Sequence, residues 1–101
     1  MRIGDVIGRV VLSRSDPRLQ AGRFMIARPY DLKALTGESP PTGEIVVAYD
    51  ELGASPGMQV GLSEGREAAM PFHPTPVALD VYIACLLDEV VVEGEASRKT
   101  A

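Results

Sequence analysis

Between Ile3 and Leu12, Val6, Gly8, Val10 and Leu12 alternate with Ile7, Arg9 and Val11, and β-branched residues dominate, which is the pattern of a strand. Gly4 and Gly8 inside this run predict a bend or a close backbone approach, as at a barrel corner. A polar turn, Ser13-Arg14-Ser15-Asp16-Pro17, follows, and Gly22 introduces a second apolar run, Arg23 to Ala27, that Pro29 stops. From Asp31 to Gly43 the chain reads as loop, punctuated by Thr36-Gly37, Ser39-Pro40-Pro41 and Gly43, with room for one helical turn capped by Asp31. Ile45 to Tyr49 is the clearest strand. It ends at Asp50, and Gly53-Ala54-Ser55-Pro56-Gly57 makes a tight loop before a short strand around Gln59 to Leu62. Glu64 to Met70 is expected to form a short helix, ended by Pro71, Pro74 and Pro76.

The stretch Val77–Val92 admits two periodicities. Leu79, Ile83, Leu86 and Val90 would suit a helix face, whereas Val77, Leu79, Val81, Ile83, Cys85 and Leu87 form an unbroken apolar face at period two. Five valines and an isoleucine favour the strand. Five or six short strands with Gly/Pro turns predict an all-β fold, a small closed barrel carrying one or two short helical turns. Residues 1–92 read as one domain, and residues 93–101 as a small, charged, flexible tail.

Composition narrows the class. A chain of 101 residues that is 46% hydrophobic can bury a core, and its length predicts a single domain. Ten basic against 14 acidic residues, a net charge of −4, argue against a general nucleic-acid binder, which needs clustered Lys and Arg. Neither a leader pattern nor an apolar run of membrane-spanning length is expected from the sequence. The single cysteine fits a reducing compartment.

Candidate chemistry is sparse. His73 and Cys85 with Asp80 would be needed for a nucleophilic triad, but Cys85 lies among Ile83, Ala84, Leu86 and Leu87, where a thiol acts as a small buried hydrophobe. A zinc site lacks ligands, no Asp-rich calcium loop is present, and no metal or cofactor is expected. Asp50 and Asp88 each close an apolar strand, the place of a turn-capping carboxylate. The 53–57 loop is neither a Walker loop nor a dinucleotide fingerprint, and without tryptophan the few aromatics make no base-stacking platform.

From Val46 to Gly57 the sequence VVAYDELGASPG resembles the signature loop of bacterial microcompartment vertex proteins, the EutN/CcmL family of shell pentamers. Four further stretches resemble that family in order and spacing: Met1 to Val11, Pro17 to Gly22, Gly65 to Ala69, and Asp80 to Asp88 with an Asp at each end. There are departures, notably Ser55 for a loop glycine, Met58 for a glutamate, Met70 for an arginine, and Ala78-Leu79 for Pro-Val.

The resemblance implies a β-barrel similar in shape to the oligonucleotide-binding fold, assembled as a cyclic pentamer that caps shell vertices. It implies no catalysis, a bacterial cytoplasmic shell as the location, and other copies and hexameric shell proteins as partners, with neither nucleic acid nor membrane. It also implies that Gly53, Ala54, Ser55, Pro56 and Gly57 lie near the five-fold axis, and that Asp50, Asp80 and Asp88 hold turns. Two alternatives remain: a small barrel binding a nucleotide, oligonucleotide or peptide, by analogy of fold alone, and a small enzyme built on Cys85 and His73.

Overall fold

The computed structural model describes residues 1–14, 16–19, 21–41, 43–92 and the main chain of 98–99. Five strands close into a barrel in the order β1-β2-β3-β5-β4: β1 (Arg2–Val10), β2 (Arg23–Pro29), β3 (Val46–Asp50), β4 (Gln59–Glu64) and β5 (Val81–Leu87). Four of the five junctions are antiparallel, and the fifth, between β3 and β5, is parallel and rests on one ladder pair, Tyr49 with Tyr82. A small separate pairing joins β6 (Glu89–Val90) to β7 (Arg98–Lys99). Residues 93–97, 100 and 101, most of the expected tail, lie outside the described residues, as does Ser15 of the first turn.

The core is built from small and branched side chains. Val6, Met25, Ala27, Ala48, Val60, Leu62, Val81 and Ile83 fill the barrel, and Ala54 reaches into it from the loop after β3. The helical pieces are short. In α1 (Leu32–Leu35) the Asp31 carboxylate accepts the Ala34 N–H at 2.8 Å, the expected cap. The expected helix over Glu64–Met70 shrinks to α2 (Arg66–Ala69), because Glu64 stays in β4 and Gly65 turns the chain at φ 64°. A 3-10 turn, Met70–Phe72, follows and contains Pro71.

The strand periodicity of Val77–Val92 prevails over the helical one, but its apolar face does not run through. Val77 and Leu79 precede β5, and the β4–β5 register skips Ala84, pairing Ile83 with Leu62 and Cys85 with Gly61. This bulge inverts the pleat, so Val81 and Ile83 are buried while Cys85 and Leu87 fall on the outer face. Cys85 is therefore half-buried, its sulfur 4.0 Å from Met1 Sδ above Gly61, and not the fully buried residue the sequence predicts.

The weak β3–β5 seam is covered by aromatic rings. Tyr49 packs against Phe24 (centroids 5.2 Å apart), Phe72 (5.9 Å) and Tyr82 (6.5 Å), and Phe72 meets Tyr82 edge-on. The Tyr82 hydroxyl donates to Glu51 at 2.8 Å, and burial, reinforced by that bond, pushes its pKa up to about 12.

One buried polar group stands out. Gln59 pairs with Asp5 and Leu87 in the neighbouring strands and is 2% exposed, yet neither its Oε1 nor its Nε2 has a hydrogen-bond partner. Leaving a buried amide unpaired costs about 1–3 kcal/mol. Gln59→Met keeps the length and removes both polar atoms without orphaning another group, so it should stabilise the fold by about 1–2 kcal/mol. A rise in the urea midpoint at constant m-value is the expected observation.

Candidate functional site

The loop that follows β3 is organised by one carboxylate. Asp50 is 1% exposed, and its Oδ1 accepts the Leu52 N–H at 2.9 Å while Oδ2 accepts Gly53 N–H at 3.2 Å and Ala54 N–H at 2.8 Å. These bonds curl the chain over the barrel mouth and drop Ala54 into the core as a plug. Gly53 and Gly57 adopt φ 88° and 97°, a region that strains any residue with a Cβ. A Cβ on either would meet nothing within 4 Å, so within one chain these glycines answer to conformation and not to crowding. Ser55 and Pro56 form the exposed tip. Beyond it the Gly57 N–H donates to Val6 O and the Val6 N–H to Met58 O, both at 2.9 Å, which carries the β1–β4 pairing up to the loop.

Neighbouring elements lock the loop in place. Arg23 Nη2 donates to the Ala54 carbonyl at 2.9 Å and lies 3.4 Å from Asp50 Oδ2. The Gly22 N–H donates to the Tyr49 hydroxyl at 2.7 Å, tying the entry of β2 to β3. Gly22 admits no side chain: a Cβ there would stand 2.5 Å from Asp50 O and 2.6 Å from Tyr49 Cζ.

The remaining residues nominated by the sequence are scattered. Asp80 is exposed before β5, and its carbonyl, not its carboxylate, accepts the Gly65 N–H at 2.8 Å. Asp88 is exposed between β5 and β6. His73 is exposed at the end of the 3-10 turn, whereas the Cys85 sulfur sits under Met1. Among the described residues no three His, Cys, Asp or Glu side chains cluster as metal ligands, and no helix is long and apolar enough to cross a membrane.

Two residues at this mouth escaped the sequence pattern. The β1–β2 register pairs Val6 with Ala27 and Gly8 with Ile26, leaving Ile7 as an extra residue. Past this bulge Arg9 stands opposite the core residue Met25, so an arginine occupies the inward phase where simple alternation would turn it outward. Arg23, two positions from Met25, shares that face. Gly8 beside an apolar run was the available hint of irregularity, and it did not reveal which side chain changed face.

A five-stranded barrel in the order 1-2-3-5-4, with a carboxylate-ordered loop over one mouth, defines a small barrel of the oligonucleotide-binding type. The family model described as "Ethanolamine utilisation protein EutN/carboxysome" matches residues 1–88, and the chain belongs to this EutN/CcmL family. Its fold is shared with the ethanolamine utilization protein EutN from Escherichia coli at 27% identity and a TM-score of 0.76, over 94% of this chain and 93% of that one. CcmL of Gloeobacter violaceus aligns at 26% identity and a TM-score of 0.78, covering 94% of this chain and 93% of that one. GrpN, a pentameric microcompartment shell protein from Rhodospirillum rubrum, aligns at 26% identity and a TM-score of 0.73, over 91% and 99% of the two chains. No curated protein matched the sequence.

Proposed function

We propose that this chain is a structural protein, not an enzyme, and that five copies form a ring closing a vertex of a bacterial microcompartment shell. The supporting observation is the family match over residues 1–88, joined to an end-to-end likeness to a pentameric shell protein. The working unit in this reading is the barrel of residues 1–92. The shell lies in the bacterial cytoplasm, and the flanking partners are hexameric shell tiles. A head-to-tail contact whose rotation closes on itself generates such a ring from one chain. Light scattering or native mass spectrometry should return five times the 10.8 kDa chain mass at micromolar concentration. A monomer or dimer across salt and concentration would overturn the reading.

In the same reading the tip of the 53–57 loop faces the five-fold axis. Asp50 fixes the loop within the chain, while Ser55 and Pro56 stay exposed and available to neighbours. Ser55→Asp tests the placement. Carboxylates on adjacent copies about 8 Å apart would repel by about 2 kcal/mol per pair at an effective dielectric near 20. Screening at physiological salt roughly halves this, leaving on the order of 5 kcal/mol around the ring. Ser55→Asp should therefore weaken assembly in a salt-dependent way, whereas Ser13→Asp, in an exposed bend, should not. If Ser55→Asp assembles like the parent at low salt, the loop lies away from the axis, and the measured mass of the parent still decides the pentamer.

A further inference from the structure

The barrel mouth carries a positive feature that a vertex role does not require. Arg9 and Arg23 stand on the same inward face of the β1–β2 pair, at diagonal positions across the ladder. Together they line a hollow of about 400 Å³ floored by Met25 and Ala54 and rimmed by Ser55 and Pro56. They also border a second hollow, of about 280 Å³, walled by Val10, Val11, Leu12 and Phe24. Arg9 and Arg23 thus belong to the lining of both recesses.

Their charges are not equally balanced. Arg23 is held by the Ala54 carbonyl and lies beside the buried Asp50 carboxylate, so its position is set and its charge offset. Arg9 has no acidic partner among the described residues, although the chain as a whole carries a net charge of −4. Ordinary alternation would send Arg9 outward. The bulge at Ile7 turns it toward the mouth, and bulges of this kind re-aim side chains at barrel rims. A guanidinium offers a planar fork of N–H donors that matches two oxygens of one oxyanion.

We propose that the mouth binds a small oxyanion, of phosphate or carboxylate type, gripped by Arg9 with the pre-positioned Arg23 as the second guanidinium. Every residue of the site comes from one chain, and the native mass of each variant separates loss of the site from loss of the ring. The same chemistry could be supplied by a free anion or by an acidic side chain of a neighbouring copy, and the proposal is the free anion.

The test is calorimetric titration of the full chain with inorganic phosphate at constant ionic strength, with chloride as the control anion and acetate as a competing carboxylate. The expected result is saturable binding of one phosphate per chain, weakened by acetate and indifferent to chloride. Arg9→Gln should lower the affinity about tenfold or more, through loss of charge-assisted hydrogen bonds. Arg9→Lys, which keeps the charge but loses the fork, should fall between the two. Arg66→Gln, at an exposed site on α2, should bind like the parent. Circular dichroism and native mass accompany each variant. Absence of phosphate binding by the parent, or equal binding by folded Arg9→Gln, overturns the site. A change of oligomer mass in Arg9→Gln, with a parent that ignores phosphate, assigns the arginine to a neighbouring copy's carboxylate and also overturns it.

Discussion

Asp50→Ala should destabilise the protein by about 3–5 kcal/mol, a large share of the total for a domain of this size. Three N–H groups lose their acceptor at once. Those of Leu52 and Gly53 sit in exposed residues and can turn to water, but Ala54 is wholly buried and its N–H is left orphaned, at about 1–3 kcal/mol. Arg23 also loses the carboxylate beside it, and the loop loses the curl that inserts Ala54 into the core. Asp50→Asn should recover about half of the loss. A single amide oxygen in the place of Oδ2 can still accept from Gly53 and Ala54, but its NH2 then faces the Leu52 N–H, donor against donor. Asp80→Ala is the contrast. Its carbonyl makes the described bond and survives the substitution, so the change should stay within about 0.5 kcal/mol. Urea unfolding of the three variants checks the ordering.

Gly22→Ala should cost about 3 kcal/mol for the opposite reason, an atom added where none fits. The new Cβ would press on Asp50 O at 2.5 Å and on Tyr49 Cζ and Oη at 2.6 and 2.9 Å. A backbone oxygen and a buried ring cannot both withdraw, and any shift of Gly22 also stretches its hydrogen bond to the Tyr49 hydroxyl. Gly8→Ala provides the scale. Its Cβ would meet Ile26 Cδ1 at 3.5 Å, an ordinary contact, so the substitution should be near neutral. Thermal melts that placed both variants together would show that the junction of Gly22, Tyr49 and Asp50 yields more easily than its packing implies.

Much of this fold was legible in the sequence because strands of a small barrel advertise themselves by alternation between Gly/Pro turns. The runs that became β1, β2, β3 and β4 were located to within two or three residues at each end. The pleat was not legible where a bulge intervened. Ile7 and Ala84 are ordinary strand residues, and nothing in their chemistry announces that the partner strand will skip them. That single-residue slip is why Cys85 emerged half-exposed and why Arg9, though exposed, stands opposite Met25 at the barrel mouth. The loop was legible as a loop, and Asp50 as its first residue. Sequence position could not separate Asp50 from Asp80, because the difference lies in whether the following amides fold back onto the carboxylate. Gly53 and the small Ala54 let them do so after Asp50. The Gln59 amide was invisible for a related reason, since burial on the outer face depends on its neighbours across two strands.

The single parallel pair between Tyr49 and Tyr82 gives the barrel a clasp. Elsewhere the ring is sewn by antiparallel ladders of several pairs each, but here one pair remains and the rings of Tyr49, Phe72 and Tyr82 pack across the seam. Phe72 comes from the excursion between β4 and β5, so the piece of chain that closes the clasp is not itself a stave of the barrel. Amide hydrogen exchange should accordingly be faster along the β3–β5 seam than within the β1–β2–β3 meander. Topologically the barrel is a closed hoop; mechanically it is a bracelet, and its looseness is tuned by side chains at one hinge.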